Sequence, residues 1–500
     1  MLTASLACSS SNGAGNPGTG GASETGGATS SGGTVLTGGM TSGGGASDTG
    51  GATSAGGATA RGGTSGSGGI TSTGGRTARG GTSGSGGVTS TGGRTARGGT
   101  SGSGGITSTG GRTASGGTSG SGGIASTGDA GLRDGATGSG GSTDGGTLAN
   151  PAPGSKLFLG VNFWRIDWMG ADQFFKTGVN FATVTNPWRD DLITDLAPFH
   201  AIRYMDWNLA NVSPNPQANW DTRPKKTDNQ NKDPIAYEWQ IDLCNRAKTD
   251  CWFTYPSEAN LDSYATNLAQ LFYSQLDPSL RVYVEWSNEV WNSSLGPQQA
   301  YAAQQAKSLG LPGSSGWAAY QAYASVRVFE KFEAVFGKGN PRLVKVISAQ
   351  QAWEGPCVDI MAAVHNAKVN PNGTMPDVIA VAPYFQGDSI SSAQSDIAGQ
   401  TDGIQANITK CANADHLPLI GYEGGADLYA ATNCAALSVS APMHDVYTSF
   451  LDMLNTSGMT GPFMHYTLNG DCWGLKQNTG DTLDKAPKYK GVTDWLAAHP

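Results

Sequence analysis

From residue 156 onward, apolar positions fall into short continuous runs at 157–163, 201–205, 251–255, 282–286, 343–347, 378–382, 417–422 and 462–466. Each is short enough for a buried strand, and unbroken apolarity is what strands covered on both faces display. Helical spacing appears between several of them. Leu261, Tyr264, Leu268, Leu271 and Phe272 share one face of a helix; Val326, Phe329, Phe332 and Val335 share another, stopped by Gly337. Eight strand candidates alternating with helix-length segments predict a (β/α)8 TIM barrel over residues 151–500. A doubly wound open sheet is the competing arrangement, but the glycine-rich phosphate fingerprint is missing after the first strand.

Residues 1–150 have no such pattern. They contain no Phe, Trp or Tyr and are dominated by Gly, Ser, Thr and Ala. Such a segment cannot bury enough apolar surface to offset chain entropy, so it is expected to be a disordered tether. Within it, residues 61–128 repeat a unit of 18 residues marked by Ile70, Val88, Ile106 and Ile124. One aliphatic side chain per unit argues for a flexible Gly/Ser-type tether rather than a solenoid. Arg-Gly-Gly recurs at Arg61, Arg79 and Arg97 without interleaved aromatics for base stacking.

A net charge of −8 without a long basic run excludes nucleic acid as the expected partner. No run of 18 apolar residues is present to span a membrane. Small residues precede Cys8, as at the end of a bacterial lipoprotein signal. The basic and apolar regions of such a signal are missing, however, and Ser5 stands where Leu is usual. Surface attachment through a lipidated Cys8 and a chance cysteine both stay open, and the expected location is secreted or cell-surface. The other six cysteines suit up to three disulfides in an oxidising compartment. No zinc spacing occurs, so neither metal nor organic cofactor is expected. A monomer is expected.

Two strand ends carry the candidate chemistry. The run 282–286 ends in Ser287, Asn288 and Glu289, bracketed by Trp286 and Trp291; the run 417–422 ends in Glu423 followed by two glycines. Carboxyl-terminal strand ends face the mouth of a barrel, so strands four and seven would present Glu289 and Glu423 to one cleft. An acid beside indoles can stay protonated near neutrality, and a carboxylate beside an arginine stays ionised. Two such groups are what glycoside hydrolysis needs. The plainer alternatives are a helix cap for Glu289 and an ion pair with Arg203 for Glu423.

Trp286-Ser-Asn288-Glu289 closing one strand and Tyr422-Glu423-Gly-Gly closing a later one resemble the clan of retaining (β/α)8 glycoside hydrolases that includes β-1,4-glucanases and β-mannanases. The resemblance covers residues 155–500. It implies Glu289 as acid/base, Glu423 as nucleophile and Asn288 on the sugar 2-hydroxyl. It further implies Arg203 orienting the nucleophile, Tyr384 hydrogen-bonding it, and Trp473 as the indole platform beneath the sugar. Residues 486–495 resemble the closing helix of such barrels. At the end of strand three, Ser257 or Glu258 stands where many members carry a histidine. His465 is read as core and Glu285 as structural. The expected activity is double-displacement cleavage of β-glycosidic bonds in a polysaccharide. A surface-displayed carbohydrate-binding protein on a degenerate barrel is the alternative, and an acyl hydrolase is disfavoured without a G-x-S-x-G elbow.

Overall fold

The computed structural model describes residues 148–313 and 315–500, together with the backbone of short strands between residues 24 and 127. The chain divides into two units, Met1–Thr137 and Gly138–Pro500.

In the second unit eight strands close a barrel: β1 (Leu159–Asn162), β2 (Ala201–Arg203), β3 (Asp250–Tyr255), β4 (Val282–Trp286), β5 (Leu343–Ser348), β6 (Val378–Val381), β7 (Leu419–Gly421) and β8 (Phe463–His465). Neighbours in sequence pair in parallel, and β8 returns to β1. Every expected apolar run holds one strand, which makes the fold a TIM barrel. Alternation divides each strand between two cores. Trp252, Tyr283, Val346, Ala380 and Met464 fill the barrel interior, while their neighbours pack outward against the helices. Packing forces the choice of glycine in β1: a Cβ at Gly160 would meet the Met464 sulfur at 2.4 Å.

Both helices expected from periodicity form, at Ser263–Gln275 and Gly316–Phe336, the latter capped by Gly337 at φ 94°. Helix Pro487–Ala498 closes the ring. Disulfides join Cys357 to Cys411 and Cys434 to Cys472. The third pair allowed by the cysteine count does not form. Cys244 and Cys251 are buried thiols, each directed at a backbone carbonyl, of Asp250 and Gln240 respectively, at 3.9 Å.

Most of the stretch expected as a tether, Cys8 included, lies outside the described residues. Where its backbone is described, short strands pair in parallel one repeat apart. Ile70–Thr73, Val88–Thr91, Ile106–Thr109 and Ile124–Thr127 run side by side, Ile70 opposite Val88 and Ile106 opposite Ile124. Near-identical successive segments have one best register, the repeat length itself.

Candidate active site

The loops following β4 and β7 deliver the two carboxylates. Beyond Trp286 the β4 backbone leaves strand geometry: Ser287 and Glu289 both sit in the left-handed region, at φ 60° and 40°. Non-glycine residues held there carry strain of roughly 1–3 kcal/mol each, typical of positions whose side chain must be aimed. Glu289 is not a helix cap, since the next helix begins only at Gln298. Its carboxyl accepts from the Tyr422 hydroxyl at 2.8 Å and from the Asn292 amide at 3.0 Å. After β7, Glu423 is followed by Gly424 and Gly425 at φ 148° and 116°, which let the chain turn where a Cβ on Gly424 would meet Phe463 and the Pro383 carbonyl at 2.9 Å.

Arg203, at the end of β2 and fully buried, ties the site together. One guanidinium nitrogen donates to Glu423 at 3.0 Å and to Asn162 at 3.2 Å; another donates to Asn288 at 2.8 Å. The latter nitrogen also lies 2.8 Å from Glu285, to which Nε donates at 2.9 Å, and the Trp252 indole donates to the same Glu285 oxygen at 2.9 Å. Asn288 in turn donates to Asn211 at 3.1 Å, which also accepts from Gln298 at 2.7 Å. The guanidinium lies 5.0 Å from the centre of the Tyr422 ring. Thus Glu289, Glu423, Asn288 and Arg203 belong to one buried network.

Burial, and then the repulsion of Glu289, push the Glu423 carboxyl up to about 8, against the opposing pull of Arg203. Burial also raises Glu289, against donors from Asn292 and Tyr422. Ionisation of Glu289 disfavours ionisation of Glu423, so the two carboxyls do not titrate independently. A proton on Glu423 would conflict with service as a nucleophile. The contacts favour the other occupancy, because Glu423 meets a full positive charge whereas the two donors to Glu289 are neutral. The Trp286 ring is not the source of the Glu289 shift, since it packs outward against Tyr320.

The remaining expected residues meet here in part. Tyr384 lies near enough for both carboxylates to raise its phenol, after burial, but no hydrogen bond joins it to Glu423. Its ring meets Trp473 edge-on at 5.4 Å. Trp473, partly exposed, is also flanked by Tyr466 at 5.6 Å and Tyr429 at 5.4 Å. Glu258 does not face this cleft: it binds the Ser213 hydroxyl and accepts from the Asn215 backbone at 3.1 Å, pinning the β2 loop. His465 is core, with both ring nitrogens unpartnered, and burial lowers it to about 3. Glu285 is structural, yet it is no bystander: alternation places it on the inward face of β4 with Tyr283. Asp206 does not pair with Arg203 but accepts from the Tyr466 hydroxyl at 2.8 Å, and burial raises it to about 7. The contact of Tyr422 with Glu289 and the pairing of Asp206 with Tyr466 escaped sequence reasoning; only the adjacency of Tyr422 to Glu423 hinted at the first. No group of side chains able to hold a metal ion occurs among the described residues.

No family model matches the chain, and no curated protein matches it. Solved structures similar to it include an α-L-arabinofuranosidase from Thermotoga maritima, at 12% identity over 68% of this chain and 70% of that one, TM-score 0.43. A modular endo-β-1,4-mannanase from Cellulomonas fimi matches at 12% identity over 69% and 71%, TM-score 0.40. A broad-specificity endoglucanase from an uncultured bacterium matches at 14% identity over 67% and 93%, TM-score 0.38. These scores carry no argument about chemistry, which rests on the side chains of this chain.

Proposed function

We propose that this chain is a retaining glycoside hydrolase acting on β-linked polysaccharide or oligosaccharide. The observation that carries the reading is the asymmetric pair of buried carboxylates, one on an arginine and the other on neutral donors only. In the first step Glu289 gives its proton to the glycosidic oxygen while Glu423 attacks the anomeric carbon; the C–O bond to the leaving sugar breaks and a glycosyl ester forms. In the second, Glu289 takes a proton from water, whose oxygen attacks the same carbon and releases Glu423. Asn288, its carbonyl occupied by Arg203 and one amide hydrogen by Asn211, keeps a second hydrogen for a sugar hydroxyl. Trp473 supplies an apolar face for the ring.

Two disulfides among the described residues favour an oxidising compartment, so a secreted or surface-anchored bacterial protein is the location we infer.

Wild type, Glu289→Gln and Glu423→Gln, assayed on aryl β-glycosides, β-glucans, mannan and xylan, test the reading. Hydrolysis is expected to disappear in Glu423→Gln on every substrate and in Glu289→Gln on the polysaccharides, with part of the activity on activated aryl glycosides kept in Glu289→Gln. Hydrolysis surviving both substitutions would refute the site. Binding without any wild-type hydrolysis would instead favour a carbohydrate-binding barrel, whose need for an arginine-held carboxylate pair is not apparent.

A further inference from the structure

The wall at Trp473 serves one sugar ring, yet aromatic surface continues beyond it. Trp164 and Trp168 stand past the end of β1 with ring centroids 5.3 Å apart, and Trp168 is 57% exposed. Their loop is anchored, because the buried Trp207 indole donates to the Trp164 carbonyl at 3.2 Å. A Cβ on Gly470 would meet the Trp164 ring at 2.7 Å, so this indole lies directly on the loop that carries Trp473 three residues later. The Arg165 guanidinium sits 4.8 Å from the Trp168 ring centre and is itself held by Asp167 at 2.8 Å and Asp233 at 3.5 Å. Constrained in this way, Trp168 has less rotamer freedom to lose on meeting a ligand than an unrestrained surface side chain.

Polar groups run between the two aromatic areas. Asp233 and Arg165 both act electrostatically on Asp206, and Asp206 acts on Glu423. One Asp206 oxygen is held by Tyr466, while the other takes no partner among the described residues.

We propose that Trp164 and Trp168, with Arg165 and Asp206 beside them, form a second sugar-binding position adjoining the one at Trp473. The ligand is then a chain of at least two β-linked sugars rather than a lone glycoside. This inference rests on the glycosidase reading for where the chain is cut, but not for whether a chain binds.

Binding is therefore measured without turnover, in Glu289→Gln, by titrating β-1,4-linked gluco-, manno- and xylo-oligosaccharides of one to six units and following tryptophan fluorescence. Affinity for at least one series is expected to climb with length, and Trp168→Ala to remove about tenfold of that gain. Trp168→Phe keeps a smaller apolar face and is expected to retain part of it. Equal affinity at every length, no binding by any series, or an undiminished climb in Trp168→Ala would each overturn the proposal. A chain that binds with the expected length dependence but is not cut by the wild type would leave this inference standing and remove the proposed activity.

Discussion

Glu289 and Glu423 share a residue type, a position just past a barrel strand and nearly complete burial, yet their surroundings differ in kind. Glu423 turns on two glycines and rests against a buried guanidinium; Glu289 is held by strained backbone and receives only a phenol and an amide. The contacts of these identical side chains thus favour opposite protonation, which under the proposed function is what divides the nucleophile from the acid. Arg203 makes the difference. It is shared with Glu285, so the second carboxylate fixes the geometry with which the first is served.

The comparison can be broken most forcefully at the carboxylates. Glu423→Ala is expected to lower kcat by 10⁴-fold or more, with azide restoring turnover to an inverted glycosyl azide. Glu289→Ala is expected to lose about 10²–10⁴-fold on substrates with poor leaving groups and much less on activated aryl glycosides, and azide should then give a retained product. Kinetics with two leaving groups and NMR of the azide products check both; the same product from the two variants would erase the distinction.

Removing the shared cation is next in size. Arg203→Met strands Glu285 and Glu423 without their counter-charge and is expected to destabilise the fold by about 3–5 kcal/mol, read from urea unfolding. In whatever remains folded, the acid limb of the pH–rate profile should move upward, because Glu423 then needs a higher pH to ionise.

A smaller change sharpens the other half. Tyr422→Phe removes a donor to the charged form of Glu289, so its carboxyl should hold a proton more tightly. The basic limb of kcat/KM is expected to move upward, with a loss of about 10-fold or more at the optimum, given the roughly 1.5–3 kcal/mol of a hydrogen bond to a charged group. A limb that stays in place would mean that this phenol does not act on Glu289.

The fourth effect is read in stability. Asp206 is raised to about 7, so the native state binds its proton more tightly than the unfolded chain does. That contribution is present at low pH and is lost as pH rises from about 4 to about 7. Asp206→Asn should therefore melt close to wild type at pH 4.5 and above it at pH 8, by a few degrees. Parallel melting curves at both pH values would contradict the assignment.

How much of this was legible in the chain follows from which contacts are local. All eight strands could be read because parallel strands covered on both faces leave continuous apolar runs, and both glutamates could be read because each follows such a run. The Asp206–Tyr466 bond joins residues 260 apart in sequence, and nothing near either position announces the other. Glu285 was undervalued although strand alternation already aims it inward. The third disulfide is absent for a different reason: a count of cysteines says nothing about the state of each thiol, and Cys244 and Cys251 stay free and buried, within reach of backbone carbonyls.

The division of roles between the two carboxylates is tested most directly by trapping the intermediate. A 2-deoxy-2-fluoro glycoside with a good leaving group, built on whichever sugar the wild type hydrolyses, should glycosylate the enzyme rapidly and stoichiometrically, with release of the leaving group and slow turnover of the glycosyl ester. Peptide mapping by mass spectrometry is expected to find the sugar as an ester on Glu423. A label on Glu289, or no covalent label together with an inverted product anomer, would contradict the account.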